Sequence, residues 1–448
     1  MNIEQLPIDI LLYHILLRLK VTSLIQLSNT CQLFYRLCND ESIWQYRVTI
    51  DFSLPMNTDR LKYGWKRLYI QLDCAHTYTW GENSDKRLGF NDQDQLERDT
   101  FMRQITTPRE LRALRGKGII NIVAGGWSFH ALDRHGDVWM WGWMQPKHPF
   151  TNIGMISQTL VRKPTRVQFP LDDVHIISIA SGRSHAIALD TLGRVWHWSN
   201  CWQPKQVIVN KTSTQKFIQI TAHWNSSAIL STKGELFLVP FPNVSQQQTM
   251  IEDHPIITCS SSPFIQIAGT EKCTIALTQS GRVFKFWTER HDEFIRMPEK
   301  YTIELIHFNI SSSSSSTTPV LVNKKSILLS AQSRHFAICS QGKVFIGQQD
   351  GDEHHVPQIL DIMNHEICKV TFGDYHFGAL TTQGRLLTWG RYSSGALGLG
   401  YDHSNINQTR PQLVETLNNM FVFAIGFGSI HSGCLAIPRH TLIQQQHV

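Results

Sequence analysis

Three histidines, His185, His376 and His431, each stand three residues after a glycine: Gly182, Gly373 and Gly428. Imidazoles at recurring positions are candidate metal ligands or general bases. Their recurrence within a repeat points instead to structure, each ring bonding backbone inside its own repeat. His354-His355 lies in an acidic stretch, Asp350 to His355, without the spaced partners that zinc requires. Cys31 and Cys273 read as small core residues. The sequence holds no nucleophile elbow, phosphate-binding loop, paired-carboxylate motif or H-E-x-x-H. The expectation is therefore a chain without catalytic residues, metal or cofactor of its own. A second set suits recognition rather than reaction: Trp127, Trp224 and Tyr375, with Arg183, Lys272 and Arg334 beside them. Aromatic anchors with charged hydrogen-bonding groups are what a peptide-binding surface needs.

The elements that position these residues form a repeat. Six windows centre on Gly136, Gly193, Gly234, Gly281, Gly342 and Gly384. Residues five and four before each glycine are apolar (Ala188-Leu189, for example), and so are those two and three after it (Val195-Trp196). Each window reads as strand, polar turn ending in glycine, strand: a β-hairpin whose glycine takes positive φ. Adjacent apolar positions within a strand suit a sheet buried on both faces. The spacing of 41 to 61 residues accommodates about four strands per unit. Stacked four-stranded units imply a β-propeller. The last unit, Ala424 to Ile437, holds only the first half of the pattern, and Cys74 to Phe90 only the second. Joined, they make a seventh blade and remove the open sheet edges. The fold class is thus mainly β, a seven-bladed β-propeller. The loops carrying Trp127, Trp224 and Tyr375 then gather around its central channel. The tryptophans at repeat positions (Trp80, Trp139, Trp141, Trp196, Trp198, Trp389) are expected in the core.

Residues 6–44 are different in kind. Pro7 suits a first helical turn, and Ile8, Leu11, Leu12, Ile15, Leu16 and Leu19 recur at helical spacing. Further apolar groups at Leu24 and Leu27, and at Leu33, Phe34 and Leu37, predict two more short helices. So small a module carries more apolar surface than it can bury within itself and must meet a partner or the propeller. Leu61 to Leu72 predicts a linker helix packed on one or the other.

Of 448 residues, 42% are apolar and 17% charged, enough to bury a large core. The net charge of +6 is diffuse, with no basic run to suggest a nucleic-acid tail. The amino terminus lacks a basic n-region, and Asp9, His14 and Arg18 interrupt the longest apolar stretch, arguing against a secretory signal and a membrane span. Nine cysteines without a C-x-x-C pair fit reduced thiols in a cytoplasmic or nuclear protein. The Ser311 to Ser316 run is a low-complexity insertion.

The repeats resemble those of the regulator of chromosome condensation. That family's Gly-x-x-His survives at Gly182…His185, Gly373…His376 and Gly428…His431, and its Trp-Gly at Trp141-Gly142 and Trp389-Gly390. The middle units depart: His223, Thr270 and Ala331 stand for the glycine, and Ser226, Cys273 and Arg334 for the histidine. The helical segment resembles an F-box through Leu6-Pro7, Ile10-Leu11, Leu24-Ile25-Gln26-Leu27 and Ile43-Trp44. By that resemblance, Leu6, Pro7, Ile8, Ile10, Leu24, Leu27, Phe34 and Trp44 bind the Skp adaptor of a cullin ubiquitin ligase. The organisation expected is an F-box at 1–52, a linker with its helix at 53–73, a propeller at 74–440 closed by both termini and a tail at 441–448. The pair together resembles the fungal SCF-associated factors. It implies a non-catalytic receptor that brings a target protein to the ligase for degradation, with no membrane, strong nucleic-acid or obligate homo-oligomeric partner. The alternatives are regulation of a small GTPase, as nucleotide exchange factor, and an F-box scaffold acting outside a ligase.

Overall fold

The computed structural model describes residues 6–439 except 55–57, 59–63, 91–102, 145–159, 200–203, 210–215, 242–248, 252–256, 258–261, 290, 311–326, 341, 361, 363–365 and 402–406. The Ser311 to Ser316 run and the 441–448 tail lie outside these residues. Seven sheets, antiparallel but for one strand pair, make the propeller. Blade one comprises Ile119–Ala124, Ser128–Asp133, Val138–Trp143 and Leu160–Arg166, and blades two to six follow in chain order. Blade seven takes its two inner strands, Met420–Phe427 and His431–Pro438, from the carboxyl-terminal side. Its two outer strands, His76–Glu82 and Gln104–Glu110, come from the amino-terminal side. Thr77 pairs with Leu435 and Trp80 with Ser432, closing the ring.

The hairpin signal has the physical basis expected of it. All six turn glycines adopt positive φ, from 70° to 89°. The residue opening the turn staples it: Asp190 Oδ1 accepts from Leu192 and Arg194 N–H at 2.9 and 2.8 Å, and its Oδ2 accepts from Trp196 Nε1 at 3.1 Å. Second strands such as Ser128–Asp133 and Cys273–Thr278 are buried along their whole length. The core accordingly lies between blades, as where Leu132, Val138 and Met140 of blade one meet Ile176, Trp196 and Trp198 of blade two.

Blade three departs from four strands. Among the described residues it has three, Phe217–Ala222, Ser226–Ser231 and Leu236–Pro240, with a bridge from Leu236 to Ile257. Thr249–Ile251 instead pairs in parallel with Lys205–Val209 of blade two.

The repeat histidines work between blades rather than within one, correcting the expectation from sequence. His376 Nε2 lies 2.8 Å from Ser432 Oγ of blade seven, and His185 Nε2 lies 2.9 Å from Ser227 Oγ of blade three. The glycine three residues earlier leaves room for the ring. A Cβ on Gly373 would lie 2.1 Å from His376 Cε1. In blade three, His223 at the glycine's own position makes the same crossing, Nε2 to Thr274 Oγ1 at 2.8 Å.

Before the propeller, Ile10–Ile15 winds as a π-helical segment and Leu16–Arg18 as a 3₁₀ turn, not the regular first helix expected. Helices α1 (Val21–Ser28), α2 (Gln32–Cys38) and α3 (Glu41–Asp51) follow. Their core contains Leu11, Leu16, Leu24, Phe34 and Ile43. Helix α4, Trp65–Leu72, bolts them to the disc. Trp44 and Phe52 each meet Tyr69 edge-on at 5.3 Å, and Phe52 meets Phe423 of blade seven at 5.8 Å. Glu41 Oε2 accepts from Trp65 N–H at 2.6 Å, Tyr69 donates to Asp51 at 2.8 Å, and Asp73 pairs with Arg134. Arg134 lies in the glycine turn of blade one, so the joint occupies the end of the disc where those turns lie.

Two outcomes follow from this packing. Trp44→Ala empties a buried aromatic site and is expected to cost about 3–5 kcal/mol of the joint's stability. Amide exchange should rise sharply across α3 and α4 and stay unchanged in blades four to six; uniform exchange would contradict the packing. The second concerns His376. Ser432 Oγ donates its only proton to Ala396 O at 2.8 Å, so Nε2 of His376 must be the donor, and its buried Nδ1 has no partner. Burial holds this imidazole at about 3, against 6.5. The unfolded chain takes up the proton first, so this stabilisation is complete above about pH 6.5 and drains away between roughly 6.5 and 3. His376→Gln should flatten the fall of urea midpoint with acid, by roughly 1 kcal/mol per pH unit inside that window. An unchanged slope would rule the histidine out as a contributor.

Candidate functional site

The inner two strands of every blade are joined by a two-residue loop at the end of the disc opposite the glycine turns. In most blades the loop closes as the N–H of its first flanking residue donates to the carbonyl of its last: Gly125 to Ser128 O, Gly182 to His185 O, His223 to Ser226 O and Gly373 to His376 O, at 2.7–2.9 Å. Blade five has the same geometry one residue later than the repeat pattern, with Ala331 for the glycine, placed it. Gln332 pairs with His335, which puts His335, not Arg334, at the histidine position.

Neighbouring loops are tied by backbone. Gly126 N–H donates to Arg183 O (3.1 Å), Trp224 to Glu271 O (3.0 Å), Glu271 to Ser333 O (2.6 Å) and Asp374 to Ser429 O (3.0 Å). These bonds hold the first loop residue of each blade toward the axis. Arg183, Trp224, Glu271, Ser333, Asp374 and Ser429 line a bowl of about 410 Å³ open to solvent. Gln332 forms its floor by reaching across the channel from blade five to Ala124 O of blade one, at 2.9 Å.

Of the six residues singled out for recognition, the structure brings three into one stack. The Arg183 guanidinium lies 3.9 Å from the Trp224 ring centre and 4.6 Å from that of Trp127. Only Arg183 and Trp224 line the bowl. The others occupy the second loop position and face the rim. Tyr375 is 52% exposed. Lys272 turns outward to Glu289, at 3.2 Å. Arg334 Nε stands 3.6 Å from Glu271 Oε2. Sequence reasoning followed the aromatic residues and so missed Glu271, Asp374 and Ser333, whose shared signal is the first position in the loop, and Gln332, which ends the strand before it.

The bowl's charges are unevenly satisfied. Burial lowers the Arg183 pKa against the pull of Asp374 and Glu271. Burial raises that of Glu271, Arg334 opposes the rise and Asp374 adds to it. Asp374 accepts from Ser333 Oγ at 3.2 Å and from Ser429 Oγ at 2.5 Å.

On the helices, Ile8 and Ile10 are 55% and 41% exposed, Pro7 is exposed, and Leu6 and Leu27 are half-buried. Leu24, Phe34 and Trp44 are buried, the first two in the helical core and Trp44 in the joint, where its Nε1 donates to Cys38 O at 2.9 Å. These three shape the module instead of presenting a face. Among the described residues no cluster of three or more His, Cys, Asp or Glu could hold a metal ion, and no helix is long and apolar enough to cross a membrane.

Comparison with known proteins bears on both parts. The F-box-like family model matches residues 3–49, and the regulator of chromosome condensation (RCC1) repeat model matches residues 383–435. The mouse E3 ubiquitin-protein ligase HERC2 is 22% identical over 370 residues, covering 78% of this chain and 6% of its own length. SCF-associated factor 1 of Saccharomyces cerevisiae is 22% identical over 310 residues, 60% of this chain and 43% of the relative. The chain therefore spans less than half of either relative. The crystal structure of Prp20p from Saccharomyces cerevisiae, reported with its binding to Gsp1p and histones, superposes with a TM-score of 0.58 at 17% identity, covering 82% of this chain and 92% of that one. The chain thus joins an F-box-like segment to a seven-bladed propeller of the regulator-of-chromosome-condensation type.

Proposed function

We propose that this chain is the substrate-recognition subunit of an SCF-type ubiquitin ligase, its helices docking on a Skp adaptor and through it a cullin, its propeller holding the target protein. One observation carries the reading. The helical module uses its α3 face to seat on the propeller and still leaves Ile8, Ile10, Tyr13, Ile25 and Tyr35 exposed. Large apolar side chains left in water on so small a module suit a protein partner. Ile8 and Ile10, with Pro7, Leu6 and Leu27, serve as the adaptor contact, while Leu24, Phe34 and Trp44 hold the helices in place beneath. The likeness to SCF-associated factor 1 supports the same role.

The bowl lies at the opposite end of the disc from the joint, so adaptor and target occupy different ends of one body. Such a receptor contributes no acid or base. It raises the effective concentration of a target lysine near the conjugating enzyme, and a stiff connection preserves that gain. The rival reading, small-GTPase regulation through the propeller, leaves the exposed helical face without a use.

The expected result is that Ile8→Asp with Ile10→Asp abolishes co-purification of Skp while leaving the thermal midpoint within about 2 °C of the parent, as surface changes do. Undiminished Skp capture by the double variant would overturn the assignment of this face. Nucleotide release from a GTPase accelerated by the purified chain would favour the rival.

A further inference from the structure

The mouth bowl contains a carboxylate oxygen with no hydrogen-bond partner. Glu271 has only 8% of its side chain exposed, and its Oε2 accepts no hydrogen bond. Its other oxygen shares a donor: the Ser333 hydroxyl lies 3.4 Å from Glu271 Oε1 and 3.2 Å from Asp374 Oδ1. One hydroxyl has one proton, so it can serve only one of the two acids at a time. Two carboxylates thus face the same small space with too few donors between them, an arrangement that costs stability unless something positive arrives.

The chain's own cations do not fill the deficit. Arg183 is clamped between Trp127 and Trp224, and among the described residues no carboxylate comes within ion-pair distance of it. Arg334 approaches Glu271 Oε2 only to 3.6 Å, and 64% of its side chain is in water. So exposed a partner contributes little and leaves at little cost. Among the lining side chains Arg183 stands against Glu271 and Asp374; Arg334 stands near Glu271 at the rim and the charge of buried Arg87 acts on Asp374, but neither donates a hydrogen bond to these acids.

We propose that the mouth of the channel takes a lysine or arginine side chain of a bound peptide, its cation settling between Glu271 and Asp374. An ammonium or guanidinium supplies several donors at once, satisfying Oε2 and relieving the shared Ser333 proton through charge-assisted hydrogen bonds. Gln332, crossing the channel to Ala124 O, stands among the groups lining the space the side chain enters. The two acids replace the rim residues Lys272 and Arg334 as the groups that select the ligand. This deepens the receptor reading, resting on the propeller as the target-binding part. It says nothing of the adaptor, so the two are tested apart.

The test uses the full chain and four capped pentapeptides, acetyl-Ala-Ala-X-Ala-Ala-amide, with X arginine, lysine, glutamine or glutamate. Binding is read by tryptophan fluorescence, since Trp224 lines the bowl. The arginine and lysine peptides are expected to bind at least about tenfold more tightly than the other two, a difference of about 1.4 kcal/mol. Glu271→Gln, which keeps the shape and removes the charge, should abolish that preference, and Asp374→Asn gives a second variant should the first fold poorly. Equal affinity for the glutamine peptide, preference for the glutamate peptide, an undiminished preference in both variants, or no binding of any peptide up to about 10 mM would each overturn the proposal. Skp capture is measured on the same Glu271→Gln protein: retained capture with lost peptide preference supports the site, whereas absence of capture by the parent chain refutes the ligase reading alone.

Discussion

The closing sheet of the ring governs everything else in this molecule. A propeller with two free sheet edges would expose rows of unpaired amides and carbonyls. Here the strand His76–Glu82 pairs along its length with His431–Pro438 and removes them. The contact is non-local in the extreme, pairing His76 near one end of the chain with Ala436 near the other. Loop closure of that length costs only a little more entropy than a shorter one, because the cost grows with the logarithm of loop size. Its consequence is kinetic: such pairing must wait for most of the chain. It is also geometric. Since His76–Glu82 is fixed as the third strand of blade seven, the α4 helix ending four residues earlier has little freedom in where it lies. The ring's closure therefore also aims the amino-terminal helices.

That linkage explains how three short helices hold together. Near fifty residues, a module cannot bury enough apolar surface to be robust alone. Trp44, Val48 and Phe52 share a core with Leu68 and Leu72 of α4 and with Phe423 and Leu435 of blade seven. The propeller thus supplies the missing half of the hydrophobic core on one side of α3. The apolar groups on the far side, Ile8 and Ile10 among them, remain uncovered.

The fold was more legible in the sequence than the site, for a physical reason. Turn glycines and buried strand positions obey constraints that repeat in every blade, so their pattern accumulates evidence: Gly136 and Gly384 have positive φ for the same cause. A recognition residue is under no such repetition. Arg183, Trp224, Glu271 and Asp374 occupy one structural position but include a cation, an aromatic ring and two acids, and nothing in that mixture betrays that they converge. The helices show the same limit. The F-box resemblance placed Leu24, Phe34 and Trp44 on a partner-binding face, but neither a motif nor apolar periodicity distinguishes a face turned to a partner chain from one turned to the chain's own core or propeller. The histidine crossings escaped for a related cause, since a Gly-x-x-His written along one blade does not show that the ring reaches the next.

These observations separate what is constant in the disc from what varies. The constant parts are backbone: the loop-closing bond from Gly373 to His376 O, and the loop-to-loop bond from Asp374 to Ser429 O, use no side chain at the lining position. A loop built that way tolerates any residue at its tip, so the tips are free to differ while the ring stays rigid. Blade three demonstrates the tolerance, having exchanged glycine for His223 and kept both the turn and the crossing to the next blade. Specificity at the mouth is then a matter of which side chains the seven tips carry, and rigidity a matter of the amides beneath them. Chemistry and scaffold are controlled by different atoms, which is why a deficit of donors around Glu271 can persist at the centre of an otherwise well-satisfied structure.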